Sequence, residues 1–448
     1  MRLDCHVARW ALLAVALGSV ILIRGGAAQA PYRLTLSDAI EKALAANLNS
    51  RVAHERVAQA QGTVVRRHAA ALLPRVSGTS YANVQNRNLR AFGLSVPGIP
   101  GTVGPFSNYD VRIAAQQNLF DLTSYYGYKA SERAAESEQM NSRDAEDSVV
   151  RAVASVYLAA ESAGARATAA ESRVQDSSTL LKLAQDKHDA GTATGVDVLR
   201  AQVQLANDKQ SLLVARTQYR QALLALARAL GMDPATPLEL GEVLSFKTLA
   251  PGTVEELQEV AWRARGDFQA LTQQREALLE QQRANRARWY PRLSISGNYG
   301  GIGRSVGSIT STGLIQAQLD MTLFDRDRDG ESQELASELR SVDDRIADLH
   351  RGVQQDVREA LLNLESAAEQ VDVASQGEAL ARRELELAQD RFAQGTTNNV
   401  EVVTAQDELA RAEENSILAI SAHVDSKFAL ARALGDTKKN IEAFTQVR

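Results

Sequence analysis

Residues 183–202 read LAQDKHDAGTATGVDVLRAQ, and residues 387–406 read LAQDRFAQGTTNNVEVVTAQ, 204 positions further on. The same offset aligns Ala225–Gly231 with Ala429–Gly435, both ALARALG, and Asn118–Asp121 (NLFD) with Thr322–Asp325 (TLFD). An offset held over more than a hundred residues marks a tandem duplication of one structural unit. The unit, about 200 residues long, is too large for a solenoid repeat and reads as one half of a pseudo-symmetric object.

Working outward from the quoted stretch, each half reads helix, strand, loop, strand, long helix, tight turn, helix. The turn sits at Gly191 and at Gly395, glycine being the residue favoured just past a helix C-terminus. Before it runs a proline-free helical stretch, about Ser124–Ala190 or Arg328–Gln394, which extends roughly 100 Å at 1.5 Å per residue. After it comes a returning helix, ending at Leu230-Gly231 or Leu434-Gly435. Its apolar positions step by alternating three and four from Val198 through Ala201, Leu205, Leu212, Ala215, Tyr219, Ala222 and Leu226 to Ala229, with Asp208 the one charged member. A weaker second stripe runs Leu199, Val203, Ala206, Gln210, Leu213. One stripe makes a two-helix coiled coil, and two adjacent stripes let the helix pack on both sides, as a stave does in a tube.

The first helix of each half is expected over about Ser37–Leu72, with Ser37-Asp38 as N-cap signal and Glu41 in the first turn, and from near Thr253. Both end at a proline, Leu73-Pro74-Arg75 and Tyr290-Pro291-Arg292, where the chain turns extended. The strands alternate: Ile315, Ala317, Leu319, Met321 and Leu323 against Gln316, Gln318, Asp320 and Thr322, and Val111, Ile113, Ala115 and Leu119 against Arg112, Gln116 and Asn118. Partners lie near Val76–Val84 and Leu293–Tyr299, joined by loops at Asn86–Tyr109 and Gly300–Gly313. Met232–Pro251 and Asp436–Arg448 read as irregular, with room for small satellite elements only.

The fold class is mainly α with a membrane β-barrel portion: long coiled-coil helical hairpins plus four transmembrane strands per chain. A sheet in lipid must close on itself, and four strands are too few for a barrel. The chain therefore pools strands with copies of itself, eight in a dimer or twelve in a trimer. Trp289, Tyr290, Phe120 and Phe324 at the strand ends, with Tyr125, Tyr126 and Tyr128 close by, fit an interfacial aromatic girdle.

Composition narrows the function. Of 448 residues, 44% are hydrophobic and only 5% aromatic, and the net charge is −5 with both signs interspersed. Nothing resembles a nucleic-acid footprint. Arg2 and Arg9, the apolar run Ala11–Ile23 and Ala28-Gln29-Ala30 read as a secretory signal peptide, 1–30. The single cysteine, Cys5, leaves with it, which excludes disulfides and thiolate metal sites. The domains are then a first repeat, 31–231, an irregular connector, 232–252, a second repeat, 253–435, and a C-terminal tail, 436–448. Asp325-Arg326-Asp327-Arg328-Asp329-Gly330 imitates a calcium loop, but its twelfth position is Ala336. His54, His68, His188, His350 and His423 are scattered, and no nucleophile elbow, phosphate loop or dinucleotide fingerprint occurs. No catalysis, metal or cofactor is expected. The rival reading, a secreted or periplasmic structural coiled-coil protein, explains the heptads but not strands at equivalent places in both halves.

Signal peptide, two-fold repeat, strand pairs between long helices and a repeated tip motif together resemble the TolC family of outer-membrane efflux proteins over about Leu34–Gly435. The tip motif G-T-x-x-x-V-[DE]-V stands at Gly191–Val198 and at Gly395–Val402. The resemblance implies a homotrimer whose twelve strands form one barrel in outer-membrane lipid and whose helices continue it as a periplasmic tunnel. It implies a passive exit duct of a tripartite efflux pump or type I secretion system, meeting a periplasmic adaptor protein and an inner-membrane pump of RND or ABC type. Gly191, Thr192, Gly395 and Thr396 are the candidates for adaptor docking. Asp197 and Glu401 are the candidates for the periplasmic entrance constriction, six carboxylates in a trimer, of the kind that favours cations. Acids in the first helical turn are also favoured by the dipole alone. Thr397, Arg200 and Thr404 stand where family members carry other gate residues.

Overall fold

The computed structural model describes residues 32–94, 97–242, 245–250 and 252–446; the expected signal peptide lies outside them. The first half runs β1 (Tyr32–Leu34), α1 (Leu36–Ala46), α2 (Leu48–Leu72), β2 (Arg75–Asn88), β3 (Thr102–Phe120), α3 (Leu122–Asp189) and α4 (Gly195–Ala229). A short strand, β4 (Leu238–Leu240), follows. The second half repeats the order as α5 (Val254–Ala264), α6 (Gly266–Ala287), β5 (Arg292–Gly303), β6 (Thr310–Asp320), α7 (Asp327–Ala393) and α8 (Asn399–Leu434), and α9 (Thr437–Gln446) closes the chain. Helices α3 and α7, of 68 and 67 residues, extend about 100 Å each.

Four expectations are corrected. The opening helix of each half is broken in two, at Asn47 and at Arg265, both in extended backbone. Asn47 turns its side chain onto the Asn49 amide, the local competition with helix that asparagine brings. Arg265 is buried and satisfied off the helix, by Asp267 and by Asp356 at 2.7 Å. The N-cap of α1 is Thr35, in a capping box with Asp38, and not Ser37-Asp38. The expected loop 86–109 is strand over 86–88 and 102–109; Pro105, which has no amide to donate, sits where the β2–β3 register shifts, a place that tolerates proline. Likewise Gly300 belongs to β5, where a Cβ would collide with the Val111 carbonyl of β3. Outside the repeats the described residues form only small elements: α9, and β4, which pairs in parallel with β1.

The four long strands form one antiparallel sheet in the order β2-β3-β5-β6. Each repeat gives one hairpin, and the two join through β3 and β5. The outer edges of β2 and β6 have no strand partner among the described residues. Val76, Val84, Val111, Ile113, Tyr299, Ile315 and Leu319 share one face of the sheet by register and are exposed.

Below the sheet the helices pack in separate layers. Leu278, Leu335 and Val342 fill the junction of α6 with α7. Midway, Leu36, Ile40, Val150, Tyr157, Leu226 and Phe428 bury the short helices against the long ones. At the far end Leu180, Ala201, Leu385, Phe392, Val402 and Leu409 form a cluster from all four tip helices. The first stripe of α4 is turned inward, with Ala201 and Leu226 at 0% exposure, while Leu199, Val203 and Leu213 of the second stand about 60% exposed. Helix α7 shows a matching free row, Val373, Leu380 and Leu387. No described helix is long and apolar enough to cross a membrane.

Candidate functional site at the helical tips

Both hairpin tips close by the same backbone device. Gly191 adopts φ +72° and Gly395 φ +76°, the left-handed region that glycine enters without penalty. Their amides donate to His188 and Phe392, and the amides of Thr192 and Thr396 donate to Lys187 and Arg391, which is the Schellman closure of a helix end. The hydroxyls of Thr192 and Thr396 donate to the same two carbonyls at 3.1 and 3.0 Å. All four residues are exposed, at the free end of a hairpin.

The two equivalent acids then diverge. Asp197 is buried, and one carboxylate oxygen accepts the Thr194 amide at 3.0 Å and the Thr194 hydroxyl at 2.7 Å. The Asp197 amide donates back to the Thr194 hydroxyl, completing a capping box at the start of α4. Arg200 stands 3.7 Å from its other oxygen. The Thr194 hydroxyl holds this carboxyl below the usual carboxylate range. Glu401 does not cap. Asn398 takes that place through the Val400 amide, and Glu401 instead meets the Arg391 guanidinium at 2.6 Å and accepts the Thr397 hydroxyl. Its side chain remains 36% exposed. Thr404 is exposed and donates to Val400 within its own helix.

Three features escaped sequence reasoning. Asn399 is wholly buried, and its Nδ2 donates to the Asp197 carbonyl at 2.8 Å. This bond ties the tip of one repeat to the tip of the other, at a position where the first repeat has Gly195 and so no signal in the repeat alignment. Arg391 is the cation of the second tip, and its equivalent Lys187 lies over the Phe392 ring at 5.5 Å; the LAQDR/LAQDK match held that clue. Between the first turns of α4 and α8 opens a mainly apolar groove of about 410 Å³, lined by Val196, Leu199, Val203, Val400 and Val403 together with Arg200, Gln204 and Thr404.

At the other end of the helices, the calcium-like segment is used differently. Arg288 bridges Asp325, Asp327 at 3.2 Å and Glu331 at 2.7 Å, while Arg328 lies 4.0 Å over the Trp289 ring. Trp289, Tyr290, Phe120 and Phe324 are exposed at the helix–strand junction. Among the described residues no three His, Cys, Asp or Glu side chains converge as a metal-binding group.

The chain belongs to the outer membrane efflux protein family, whose pattern matches residues 39–232 and 259–436. It is 23% identical over 404 residues to the pyoverdine export outer membrane protein OpmQ of Pseudomonas aeruginosa, covering 87% of this chain and 82% of that one. Its fold is that of the outer-membrane channel OprN, with TM-score 0.73, 20% identity and 89% of each chain covered. It also matches the Campylobacter jejuni CmeC outer membrane channel, with TM-score 0.74, 16% identity, and 92% and 89% covered. The protein is thus an outer-membrane exit duct of efflux machinery with a large periplasmic helical portion. Proteins of this family work with adaptor and inner-membrane pump partners.

Proposed function

We propose that three copies of this chain close into one passive duct, with twelve strands in outer-membrane lipid and the long helices as its periplasmic wall. The observation that carries this reading is the sheet: it presents a charge-free apolar face, yet among the described residues both outer edges are unpaired. Backbone groups cannot stay unpaired in hydrocarbon, so β6 of one copy must meet β2 of the next. The free stripes on α4 and α7 supply matching lateral contacts in the tunnel. The division into leader 1–30, repeats 31–231 and 253–435, connector 232–252 and tail 436–448 belongs to the same proposal. It is supported by the repeated element order.

In this duct Gly191, Thr192, Gly395 and Thr396 face the adaptor, supported by their exposure at the hairpin ends. The chain performs no chemistry of its own; the inner-membrane pump, of RND or ABC type, supplies the energy. Asp197 and Glu401 ring the periplasmic entrance, with Glu401, the more exposed, contributing most of the field there. Detergent-extracted protein is expected to run as a trimer and to give discrete conductance steps in a planar bilayer. A monomer that stays folded in water without detergent would overturn the reading and favour the soluble coiled coil.

A further inference from the structure

The sheet carries six charged side chains: Arg75 and Arg87 on β2, Asp110 and Arg112 on β3, Arg292 on β5 and Asp320 on β6. Strand side chains alternate between faces, and the register decides which face each one takes. Tyr81 pairs with Asp110, Arg75 with Gln116, Gln116 with Ser296, Arg292 with Asp320 and Ser296 with Gln316. All six charges therefore fall on the face opposite Val111, Ile113, Ile315 and Leu319. The bulge beside Arg87 lies on β3 and leaves the alternation of β2 intact. Polar ladders run along this face only: Tyr81 Oη donates to Asp110 at 2.9 Å, Arg112 Nε donates to Asp110 at 2.7 Å, and Gln318 donates to Asp320 at 2.9 Å.

In the duct this is the face toward the pore water, and four arginines against two aspartates leave it net positive. The segments joining the strands at their far end, 89–101 and 304–309, add Arg90 and Arg304 and no acid. A chain of net charge −5 thus has a basic barrel. We propose that the barrel lumen is an anion-attracting segment and that the solutes whose exit it favours are anionic. Resting on the duct reading above, this inference gives the outer end a preference opposite to that of the acidic periplasmic entrance. A lumen of one sign between low-dielectric walls concentrates its counter-ions.

The test uses the full chain in lipid vesicles with Cys5→Ser, which removes the sole cysteine, and Ser296→Cys. Ser296 lies in one cross-strand row with Arg75 and Gln116, about 10 Å from Arg75 across two strand spacings. Its modification rates by anionic sulfonatoethyl and cationic trimethylammonioethyl methanethiosulfonate are compared and normalised to a free thiol. The anionic reagent is expected to be favoured on the order of 10-fold, and Arg75→Gln with Arg292→Gln to bring the ratio near one. A normalised ratio of one or below in the parent, or a ratio unmoved by the two substitutions, overturns the proposal. Ile315→Cys, on the opposite face, separates the two readings. It is expected to be unreactive in lipid, and reaction there as fast as at Ser296 would overturn the duct itself.

Discussion

Asn399→Ala should loosen the tip without unfolding the protein. The Asn399 amide makes one bond across the repeats, 2.8 Å to the Asp197 carbonyl, in a site with no solvent exposure. A neutral hydrogen bond contributes about 1 kcal/mol net. The penalty of an orphaned acceptor does not apply, because Asp197 lies in the first turn of α4 and its carbonyl also faces the helix ladder. The unpartnered Oδ1 of Asn399 is removed by the same substitution, which keeps the cost near that figure. If three tips part together, the loss is about 3 kcal/mol, or on the order of 100-fold in the opening equilibrium; tips that part singly give about 5-fold each. The assay is open probability in planar bilayers, with uptake of a large hydrophilic antibiotic by whole cells as a second readout. Asn398→Ala is the control, since that side chain caps only its own helix, at 3.1 Å, at a similar local cost. Equal opening in both variants would show helix fraying, and no opening in Asn399→Ala would refute the idea that this bond holds the entrance.

Glu161 is pushed up to about 7 by burial and by Glu242, so between pH 4.5 and 7 the folded chain keeps a proton that the unfolded chain has lost. Stability should fall as pH rises through that window, and Glu161→Gln should gain about 1–2 kcal/mol over the parent at pH 8 and nothing at pH 4, read by denaturant titration. His423 is pushed down to about 4 by burial, so its contribution has the opposite sign: stability is lost as pH falls from 6.5 to 4, and His423→Phe should flatten that limb of the stability profile. Gly266→Ala should destabilise by about 1–3 kcal/mol in thermal unfolding, because its Cβ would stand 2.7 Å from the Met140 carbonyl oxygen and 2.9 Å from the Asp144 amide. Gly395→Ala should cost about 1 kcal/mol from its positive φ, with hydrogen exchange at the tip rising while the distant core is unchanged.

Much of the architecture was legible because it repeats. A proline-free run of about 65 residues that closes at a glycine reads as one long helix, and finding it twice at one offset removed the alternatives. Period-two alternation likewise placed the strands, since a one-residue slip would move Ile315 and Leu319 to the polar face. The breaks at Asn47 and Arg265 were not legible, because no glycine or proline stands at Asn47, and Gly266 just past Arg265 looks no different from Gly127 and Gly352, which lie inside the long helices. At Arg265 the break depends on a partner far along the chain, Asp356, whose bond replaces what the helix would have provided, and at Asn47 it rests on the side chain's turn onto the Asn49 amide. Loop lengths failed for a related reason: glycine and proline signal a turn locally, whereas at Gly300 and Pro105 they serve a close strand approach and a bulge.

The candidate site shows where repetition stops informing. Asp197 and Glu401 occupy one position of the duplicated motif, and sequence reasoning gave them one role. The residues that decide their roles are those at which the copies differ. Thr194 in the first tip offers a hydroxyl that a capping box needs, and the acid turns back onto its own helix. Asn398 in the second tip caps without help, which frees Glu401 to reach Arg391 and Thr397. Gly195 against Asn399 is the sharpest difference: the side chain missing in one copy is the one that crosses to it in the other. Duplication supplied two equivalent tips, and their divergence joined them into one asymmetric contact. The two acids are therefore expected to behave differently when removed. Asp197→Ala takes away the carboxylate half of the capping box of α4 and should cost about 1 kcal/mol of local stability, whereas Glu401→Ala frees the Arg391 guanidinium at the entrance and should shift conductance toward anions with little change in melting. Matching effects of the two substitutions on both readouts would mean that the motif, and not the differences within it, sets their roles.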